Sequence, residues 1–497
     1  MFKNFPGYKL LESIQKKKSH KRERKFPLNA IKLIFIIAIT SVIALLPTES
    51  FGIEGLTAIH QRIIALFVFA ALMWLTETMP SWVTSMVVVT VMLFTVSTSS
   101  FSFLRPEGGV GLVPFKSIFA CFSNPTIMLF IGGFVLAIGL TKVKLDVALA
   151  RVLLKPFGTR SEIVLLGFIL VTAIFSAFVS NTATAAMMLA FLTPVLKSLP
   201  ADGKGRIALA LAIPVGANLG GMITPIGTPP NMIALDYLSS QGMGISFVDW
   251  TIKMAPFVVV LLVIAWLLLR ILFPFKQKNI KIEIEGEIKW NYKTWSVVVA
   301  FILTIFMWMF GTDLWGIDTN VVAMIPIAIF CATGILTRRD LEEINWSVLW
   351  MVAGGFALGV ALNYSDANSA SLSSLIVKSV PFDNFSPLVV MILAGLICFG
   401  FSNFISHSAA TSLLVPVLGV VASGLGTALD NFGGPQAMLV GIAIASSVSM
   451  ILPISTPPNA IAHSTGFIEQ KDMMKVGIIV GILGLVLGYA MLIFIGF

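Results

Sequence analysis

The chain has 497 residues, of which 57% are hydrophobic and 11% are charged. Soluble domains carry about 25% charged residues, so this composition excludes an ordinary water-soluble globular protein and predicts a protein surrounded by lipid. The formal net charge of +9 indicates basic loops on the cytoplasmic side of a membrane and no nucleic-acid partner.

The N-terminal segment 1–28 is rich in Lys and Arg and leads into an apolar stretch of near-spanning length. No small-residue cleavage site follows that stretch, so we interpret it as a first span after a basic cytoplasmic tail. A span needs about 20 mostly apolar residues. Eleven candidates meet this requirement, at 29–47, 58–78, 81–98, 125–141, 206–235, 255–273, 295–311, 319–337, 347–363, 434–465 and 474–496.

Two further apolar stretches, 163–196 and 387–422, are predicted to enter the membrane and turn back. Basic loops, which favour the cytoplasmic side, lie on both sides of the first stretch, at 142–160 and 197–206. The stretch is too short for two full spans and a turn, so it is interpreted as a re-entrant helical hairpin with its tip near Ser180. The same charge pattern predicts that the second hairpin enters from outside. The N-terminus is then cytoplasmic and the C-terminus lies outside.

Three short motifs occur twice in the same order and at nearly constant separation, which indicates an internal duplication. Because the two hairpins are predicted to enter from opposite sides, the halves should be inverted repeats, as in many secondary transporters. The pairs are Gly132-Gly133-Phe134 with Gly354-Gly355-Phe356, Ser180-Asn181-Thr182 with Ser406-His407-Ser408, and Gly227-Thr228-Pro229-Pro230-Asn231 with Ser455-Thr456-Pro457-Pro458-Asn459.

The Thr-Pro-Pro-Asn tetrapeptide interrupts span-like sequence twice, at 228–231 and at 456–459. Each proline removes a backbone donor and clashes with the preceding turn, so the helix must break there. A broken backbone at membrane depth is tolerated where it is buried in protein or lines a cavity. One break could serve packing alone, but two at matching positions predict a binding site.

The polar triplet Ser180-Asn181-Thr182 is predicted to lie at the first hairpin tip. Helix capping would explain one of these residues. Their oxygens also suit a small hard cation, and the amides of a helix N-terminus suit a carboxylate. The segments 163–196, 207–235, 387–429 and 431–462, which carry the hairpins and the breaks, contain no Asp, Glu, Lys or Arg. A carrier of a bare cation should show an embedded acid. Hydroxyls, amides, helix dipoles and any co-bound cation are therefore expected to hold an anion.

With these motifs the chain resembles the divalent anion/sodium symporter (DASS) family over essentially its whole length after the tail. The resemblance also includes Trp74-Leu75-Thr76-Glu77 with Pro80. It implies an all-α polytopic membrane protein with about eleven transmembrane helices and two re-entrant hairpins in an inverted two-fold repeat. It further implies a homodimer that works as an elevator. Family members carry succinate, malate, fumarate, 2-oxoglutarate, citrate or sulfate.

The resemblance also implies which residues form the site. Asn181 and Thr182 from the first tip and Ser408 from the second would contact the substrate, completed by Thr228-Pro229 and Thr456-Pro457. Sodium would be a co-transported ion, and no other cofactor is expected. Its first site would use Ser176, Ser180, Asn181 and Gly227, and its second would use Ser402, Ile405, the position of His407, and Ser455.

The chain departs from the family pattern at the second tip, where His407 stands in place of Asn. The missing Asn weakens the second sodium site. Histidine titrates near physiological pH, so a protonated His407 could replace a cation beside an anionic substrate, and a neutral one could donate a hydrogen bond within the tip. We therefore include His407 among the substrate-binding residues, and its presence favours dicarboxylate exchange.

The predicted transporter divides into five parts. It is expected to carry C4 and C5 dicarboxylates across the cytoplasmic membrane, by exchange or by sodium or proton coupling. A citrate or sulfate carrier is the related alternative. The parts are the tail (1–28), scaffold helices (29–160), a first transport part (161–275), a linker with scaffold helices (276–386) and a second transport part (387–497).

A membrane-embedded enzyme or anion sensor is an alternative of another class. The sequence contains no P-loop, no His-Glu-x-x-His and no Gly-x-Ser-x-Gly motif. Its three cysteines, Cys121, Cys331 and Cys398, are scattered through apolar sequence and predict neither disulfides nor a metal cluster. The longest hydrophilic loop, 274–293, is too short for a soluble signalling domain. These observations favour a transporter without catalytic residues.

Overall fold

The structure is a computed structural model that describes residues 26–200, 203–280 and 289–497. Every regular element longer than a single bridge in these ranges is a helix. Nine of these helices are long and apolar enough to cross a membrane. The predicted all-α polytopic fold is thereby confirmed. Residues 1–25 of the predicted basic tail lie outside the described part of the chain, and residues 26–28 belong to the first helix.

The helices of the first half are numbered in chain order. They are α1 (Phe26–Leu45), α2 (Ala58–Thr76), α3 (Ser81–Thr95), α4 (Phe115–Ala120), α5 (Pro125–Lys142), α6 (Leu145–Leu154), α7 (Ser161–Phe178), α8 (Asn181–Ser198), α9 (Gly205–Gly220), α10 (Pro229–Ser240) and α11 (Phe247–Leu272).

The second half continues the same numbering. Its helices are α12 (Tyr292–Trp315), α13 (Thr319–Val322), α14 (Met324–Ala332), α15 (Arg338–Glu342), α16 (Trp346–Asn363), α17 (Leu372–Ser379), α18 (Pro387–Phe404), α19 (His407–Leu425), α20 (Gly434–Ser447), α21 (Pro457–Ser464) and α22 (Gln470–Phe494).

Each of the eleven predicted spans coincides with one helix or with a helix that is interrupted once. The largest difference lies at the start of α11, which begins at Phe247, well before the predicted 255. Ser246 caps this helix by accepting a hydrogen bond from the N–H of Asp249 at 3.0 Å. Because Asp249 and Lys253 are polar, a search for apolar residues misses the first two turns of a helix that is otherwise well defined.

Short helices also lie between the predicted spans. α6 lies in the predicted loop 142–160 and buries Leu145, Ala150 and Leu154. α17 lies between the predicted span 347–363 and the second predicted hairpin, and α4 and α15 also lie between predicted spans. All four are too short to span a bilayer at about 1.5 Å per residue, so they leave the predicted span count unchanged.

The two predicted hairpins and the two predicted breaks form as expected. α7 and α8 are joined by a short turn at 179–180, and α18 and α19 by a turn at 405–406. The breaks lie between α9 and α10 and between α20 and α21. In both cases the helix resumes at the first proline of the Thr-Pro-Pro-Asn segment, where a missing N–H costs nothing.

Each half packs one segment of its broken helix against the other half. α10, from the first broken helix, packs against α19 and α20 of the second half, whereas α21, from the second broken helix, packs against α8 and α9 of the first half. This reciprocal packing brings both tips and both breaks to the same place. The remaining long helices include α3, which packs on α16, and α5, which packs on α14.

Candidate functional site

A cavity of about 280 Å³ lies where the two hairpin tips meet the two helix breaks. All eight residues predicted to bind substrate line it, so the structure brings together positions from both halves that are far apart in the sequence. These residues are Asn181, Thr182, Thr228, Pro229, His407, Ser408, Thr456 and Pro457.

The residues predicted to hold sodium divide into two layers. Five of them line the cavity, namely Ser180, Asn181, Gly227, His407 and Ser455. The other three, Ser176, Ser402 and Ile405, are buried and are not among the lining residues. Ser176 and Ser402 occupy equivalent places in the two halves, in the last turn of the first helix of each hairpin.

Four of the helices that begin at the cavity wall start at the tips and the breaks. α8 and α19 start at the hairpin tips, and α10 and α21 start at the breaks. Each helix N-terminus carries the equivalent of about half a positive elementary charge. Four such ends directed at one cavity therefore favour a negatively charged occupant without any fixed cationic side chain.

The two hairpin tips are built in the same way. Ser180 accepts a hydrogen bond from the N–H of Ala183 at 3.3 Å, and Ser406 accepts one from the N–H of Ala409 at 3.2 Å. The caps therefore satisfy the third N–H of each helix and leave the first two, which are orphan donors at any helix start. At the first tip these donors belong to Asn181 and Thr182.

Among the described residues, none that lines this cavity is Asp, Glu, Lys or Arg. A buried ionic group would need a partner of opposite charge, and here the wall consists of hydroxyls, amides, backbone groups and apolar side chains. An anion would therefore be held by hydrogen bonds and helix dipoles. Such a site releases its occupant more readily than a site with an arginine clamp.

The first half contains a compact cluster of oxygen atoms beside its tip. The Ser176 hydroxyl lies 2.6 Å from Asn181 Oδ1 and 2.7 Å from the carbonyl oxygen of Ala217. Gly221 allows this packing, because a Cβ there would lie 2.6 Å from Asn181 Oδ1. Hydroxyl, amide and carbonyl oxygens are the ligands that hard cations prefer, so the predicted first cation site has a suitable donor set.

The second half differs at the equivalent place. His407 Nε2 lies 2.6 Å from the carbonyl oxygen of Ser449, which is the counterpart of Gly221 when the two breaks are aligned on their prolines. Because a carbonyl only accepts, Nε2 must carry a proton. An imidazole N–H thus meets a carbonyl oxygen near the position where a cation would have been expected.

Asparagine side chains form hydrogen bonds with the backbone of both breaks, and two of these asparagines lie in a motif that the sequence singled out. Asn231 Nδ2 donates to the carbonyls of Gly221 and Thr224, at 3.0 and 2.9 Å. Asn459 Nδ2 donates across the second break to Met450, at 2.9 Å, and to Leu452, at 3.1 Å.

A third asparagine, Asn218, was not predicted. Its Nδ2 donates to Asn459 Oδ1 at 3.0 Å and to Thr456 Oγ1 at 3.3 Å, so it links the two halves. Sequence reasoning missed it because it lies well before the first proline pair, in the unbroken part of α9. An amide in the middle of an apolar span was the available signal.

Sequence analysis missed most of the cavity lining that comes from α3, α5 and α16. Trp82, Phe130 and Met351 line the cavity from α3, α5 and α16. Asn345 and Ser347, at the start of α16, line it as well. The repeats singled out part of this wall through the Gly-Gly-Phe motif of α5, which contributes Gly133 and Phe134.

The described part of the chain contains no group of three or more His, Cys, Asp or Glu side chains that could hold a metal ion. A transition-metal centre would need such a group. Any cation at this site would therefore have to be bound by the neutral oxygens of the tips and breaks.

Comparisons with known proteins agree over nearly the full length. The family model described as the sodium:sulfate symporter transmembrane region matches residues 28–496. An uncharacterized transporter of Haemophilus influenzae is 30% identical over 90% of this chain and 94% of its own length. The sodium-dependent dicarboxylate transporter SdcS of Staphylococcus aureus is 28% identical over 96% of this chain and 94% of its own length.

SdcS of Staphylococcus saprophyticus is also 28% identical, over 85% of this chain and 84% of its own length. Among solved structures, the YdaH transporter of Alcanivorax borkumensis matches with a TM-score of 0.55 over 88% of this chain and 99% of that one. Its sequence identity is 14%, so this similarity concerns the fold alone.

Proposed function

Since this chain belongs to the divalent anion/sodium symporter family, we propose that it is a secondary active transporter of C4 and C5 dicarboxylates in the cytoplasmic membrane. Succinate, malate, fumarate and 2-oxoglutarate are the expected substrates. The observation that carries this proposal is the convergence of four helix N-termini on a cavity whose described lining has no charged side chain. The relatives named as dicarboxylate transporters support the same substrate class.

The two tips would bind the two ends of the substrate. One carboxylate would accept hydrogen bonds from Asn181 and Thr182, and the other from Ser408 with His407 beside it. The breaks at Thr228-Pro229 and Thr456-Pro457 would complete the site with hydroxyls and helix dipoles. A molecule with two carboxylates matches a cavity with two equivalent tips better than a molecule with one.

We propose exchange of one dicarboxylate for another as the coupling mode. The contact of His407 with Ser449 supports it, because an imidazole N–H fills a position where a cation would need free oxygens. Sodium symport is the second candidate. The relatives' names favour it, and so does the oxygen cluster of Ser176, Ser180, Asn181 and Gly227, whereas Ser402 and Ser455 would belong to the altered second site.

We further propose that residues 161–275 and 387–497 move as a transport part against a scaffold formed by 29–160 and 276–386. The movement would carry the tips and breaks together, as in an elevator. Two copies of the chain would form a homodimer through their scaffolds. The N-terminus would lie in the cytoplasm and the C-terminus outside, as the distribution of basic loops predicts.

Uptake by purified protein in liposomes tests the function and the coupling mode together. Labelled succinate is supplied outside, and uptake is compared between vesicles preloaded with unlabelled succinate or 2-oxoglutarate and empty vesicles under an inward sodium gradient. Uptake only after preloading supports exchange, and sodium-driven uptake into empty vesicles supports symport. If neither occurs, the dicarboxylate proposal fails and labelled citrate and sulfate are tested in the same vesicles.

A further inference from the structure

Asp236 and Tyr237, in the second half of the first broken helix, contact two helices of the proposed scaffold. The hydroxyl of Thr126 donates to the Asp236 carboxylate at 2.7 Å, and the side chain of Asn124 lies close to the same carboxylate. The Tyr237 hydroxyl makes a polar contact with the side chain of Asn363. Two neighbouring residues of α10 thus make polar contacts with the start of α5 and with the end of α16.

The chemistry of each contact is complementary. Asn124 caps α5 by accepting the N–H of Thr126 at 2.8 Å, so its amide nitrogen remains for Asp236. A carboxylate at a helix N-terminus is also favoured by the helix dipole. Asn363 donates its amide to the carbonyl of Gly359 at 3.1 Å, so its oxygen remains for the hydroxyl of Tyr237.

These contacts lie at the start of α5 and the end of α16, whereas α3 and α16 line the cavity with their starts and α5 lines it from Leu129 onward. Ser81, at the start of α3, and Ser347, in the first turn of α16, line the cavity. Both helix starts are predicted to be cytoplasmic. Thr126, at the start of α5, and Asn363, at the end of α16, are at the predicted outer side.

The repeat-related positions behave differently. Ser464 and Thr465 are the counterparts of Asp236 and Tyr237 in the same alignment of the breaks, and they lie at the predicted cytoplasmic end of the second broken helix. Their hydroxyls donate within their own turn, to the carbonyls of Ile461 and Ala462, at 2.7 and 2.6 Å. One end of the transport part is thus hydrogen-bonded to the scaffold at positions whose counterparts at the other end make only local bonds.

We propose that Asp236 and Tyr237 form a polar closure on the outer side and set the balance between the inward-open and outward-open states of this transporter. The inference rests on the proposed transport function, because it assigns the closure to the moving part. To open the cavity outward, α10 must slide past α5 and α16 and break both contacts. The phenol ring of Tyr237 packs directly against Gly419 of α19, because a Cβ at that position would overlap the ring.

Cysteine accessibility measures this balance without any substrate. Exposed Cys331 is replaced with serine, and the cavity-lining residue Ile226 is replaced with cysteine. A membrane-impermeant maleimide is then applied to the outer face in intact cells, and to the cytoplasmic face in inside-out vesicles. In the parent the cysteine should react mainly from the cytoplasmic face. Asp236→Ala and Tyr237→Phe should each raise the outer labelling rate about fivefold, as expected for one lost hydrogen bond.

Matched controls separate this effect from general damage. Asp249→Ala removes an exposed acid of α11 that is hydrogen-bonded to Ser246, and Ser464→Ala removes one of the local hydroxyls. Both should leave the labelling rates unchanged. An unchanged outer rate in the Asp236→Ala, Tyr237→Phe double variant, at an unaltered melting temperature, would overturn the proposal, and so would a parent that reacts faster from outside. If the labelling follows the prediction but no dicarboxylate is taken up, the closure stands and the substrate assignment fails.

Discussion

Replacing Asn459 with alanine should destabilise the protein more than the equivalent replacement of Asn231. Asn459 makes three hydrogen bonds of 3.1 Å or less, to Met450, to Leu452 and from Asn218. Asn231 makes two, and its Oδ1 is buried without a partner in the described part of the chain. The difference arises because Ser446, the counterpart of Asn218, donates instead to the carbonyl of His407.

The magnitude follows from the number of bonds. A side-chain hydrogen bond inside a membrane protein contributes about 0.6 kcal/mol on average. Losing three bonds should therefore cost about 2 kcal/mol in the free energy of unfolding, and losing two should cost about 1 kcal/mol. Each backbone carbonyl that loses its asparagine donor and stays without a hydrogen bond adds a further cost of about 1–3 kcal/mol.

The assay is chemical unfolding of the purified protein in detergent, followed by tryptophan fluorescence. A double-mutant cycle isolates the link between the halves. Asn218→Ala combined with Asn459→Ala should cost less than the sum of the single changes, whereas Asn218→Ala combined with Asn231→Ala should be additive. Equal losses for Asn459→Ala and Asn231→Ala, together with additivity in both cycles, would refute the proposed role of Asn218.

Three further predictions concern the site and its support. His407→Asn should raise the sodium dependence of uptake, and identical transport with and without sodium at every pH tested would contradict a role for His407 as the cation's substitute. Thr182→Val should raise the KM for succinate roughly tenfold through the loss of one charge-assisted hydrogen bond. Thr193→Val is the matched control and should leave the KM unchanged, because the Thr193 hydroxyl donates to the carbonyl of Leu189 on the same helix. Burial opposes the charge of Asp340, but hydrogen bonds led by that from Lys142 outweigh it and hold the pKa of Asp340 below its ordinary value. A lowered folded-state pKa stabilises the protein above the unfolded pKa of about 3.9. The melting temperature of Asp340→Asn should therefore be lower than the parent's at neutral pH, and this difference should disappear as the pH falls below about 4. A difference in melting temperature that persists in acid would show that the ion pair is not its cause.

The architecture could be predicted because lipid imposes simple rules on sequence. Apolar length, basic loops and paired prolines depend on local composition, and they located the spans, the hairpins and the breaks. The start of α11 shows the limit, since a capped helix with Asp249 and Lys253 in its first turns has no apolar signal. The short helix α6 was missed because it lies in a segment whose basic residues indicated a loop.

The site could be predicted only as far as the repeats reached. Both tips and both breaks were located because each motif occurs twice. Asn218 has no such pair, since its counterpart is Ser446, and Trp82 and Met351 belong to helices whose approach depends on tertiary packing. The contact between His407 and Ser449 was also beyond the sequence, because it depends on the path of an unwound segment.

The most direct test of the central claim is an experimentally determined structure of the protein purified with saturating succinate. The account predicts density for one succinate in the cavity between the two tips. One carboxylate should lie within hydrogen-bonding distance of Asn181 and Thr182, and the other should lie near Ser408 and His407. Succinate bound elsewhere, or a cavity between the tips that stays empty while transport is saturated, would contradict it.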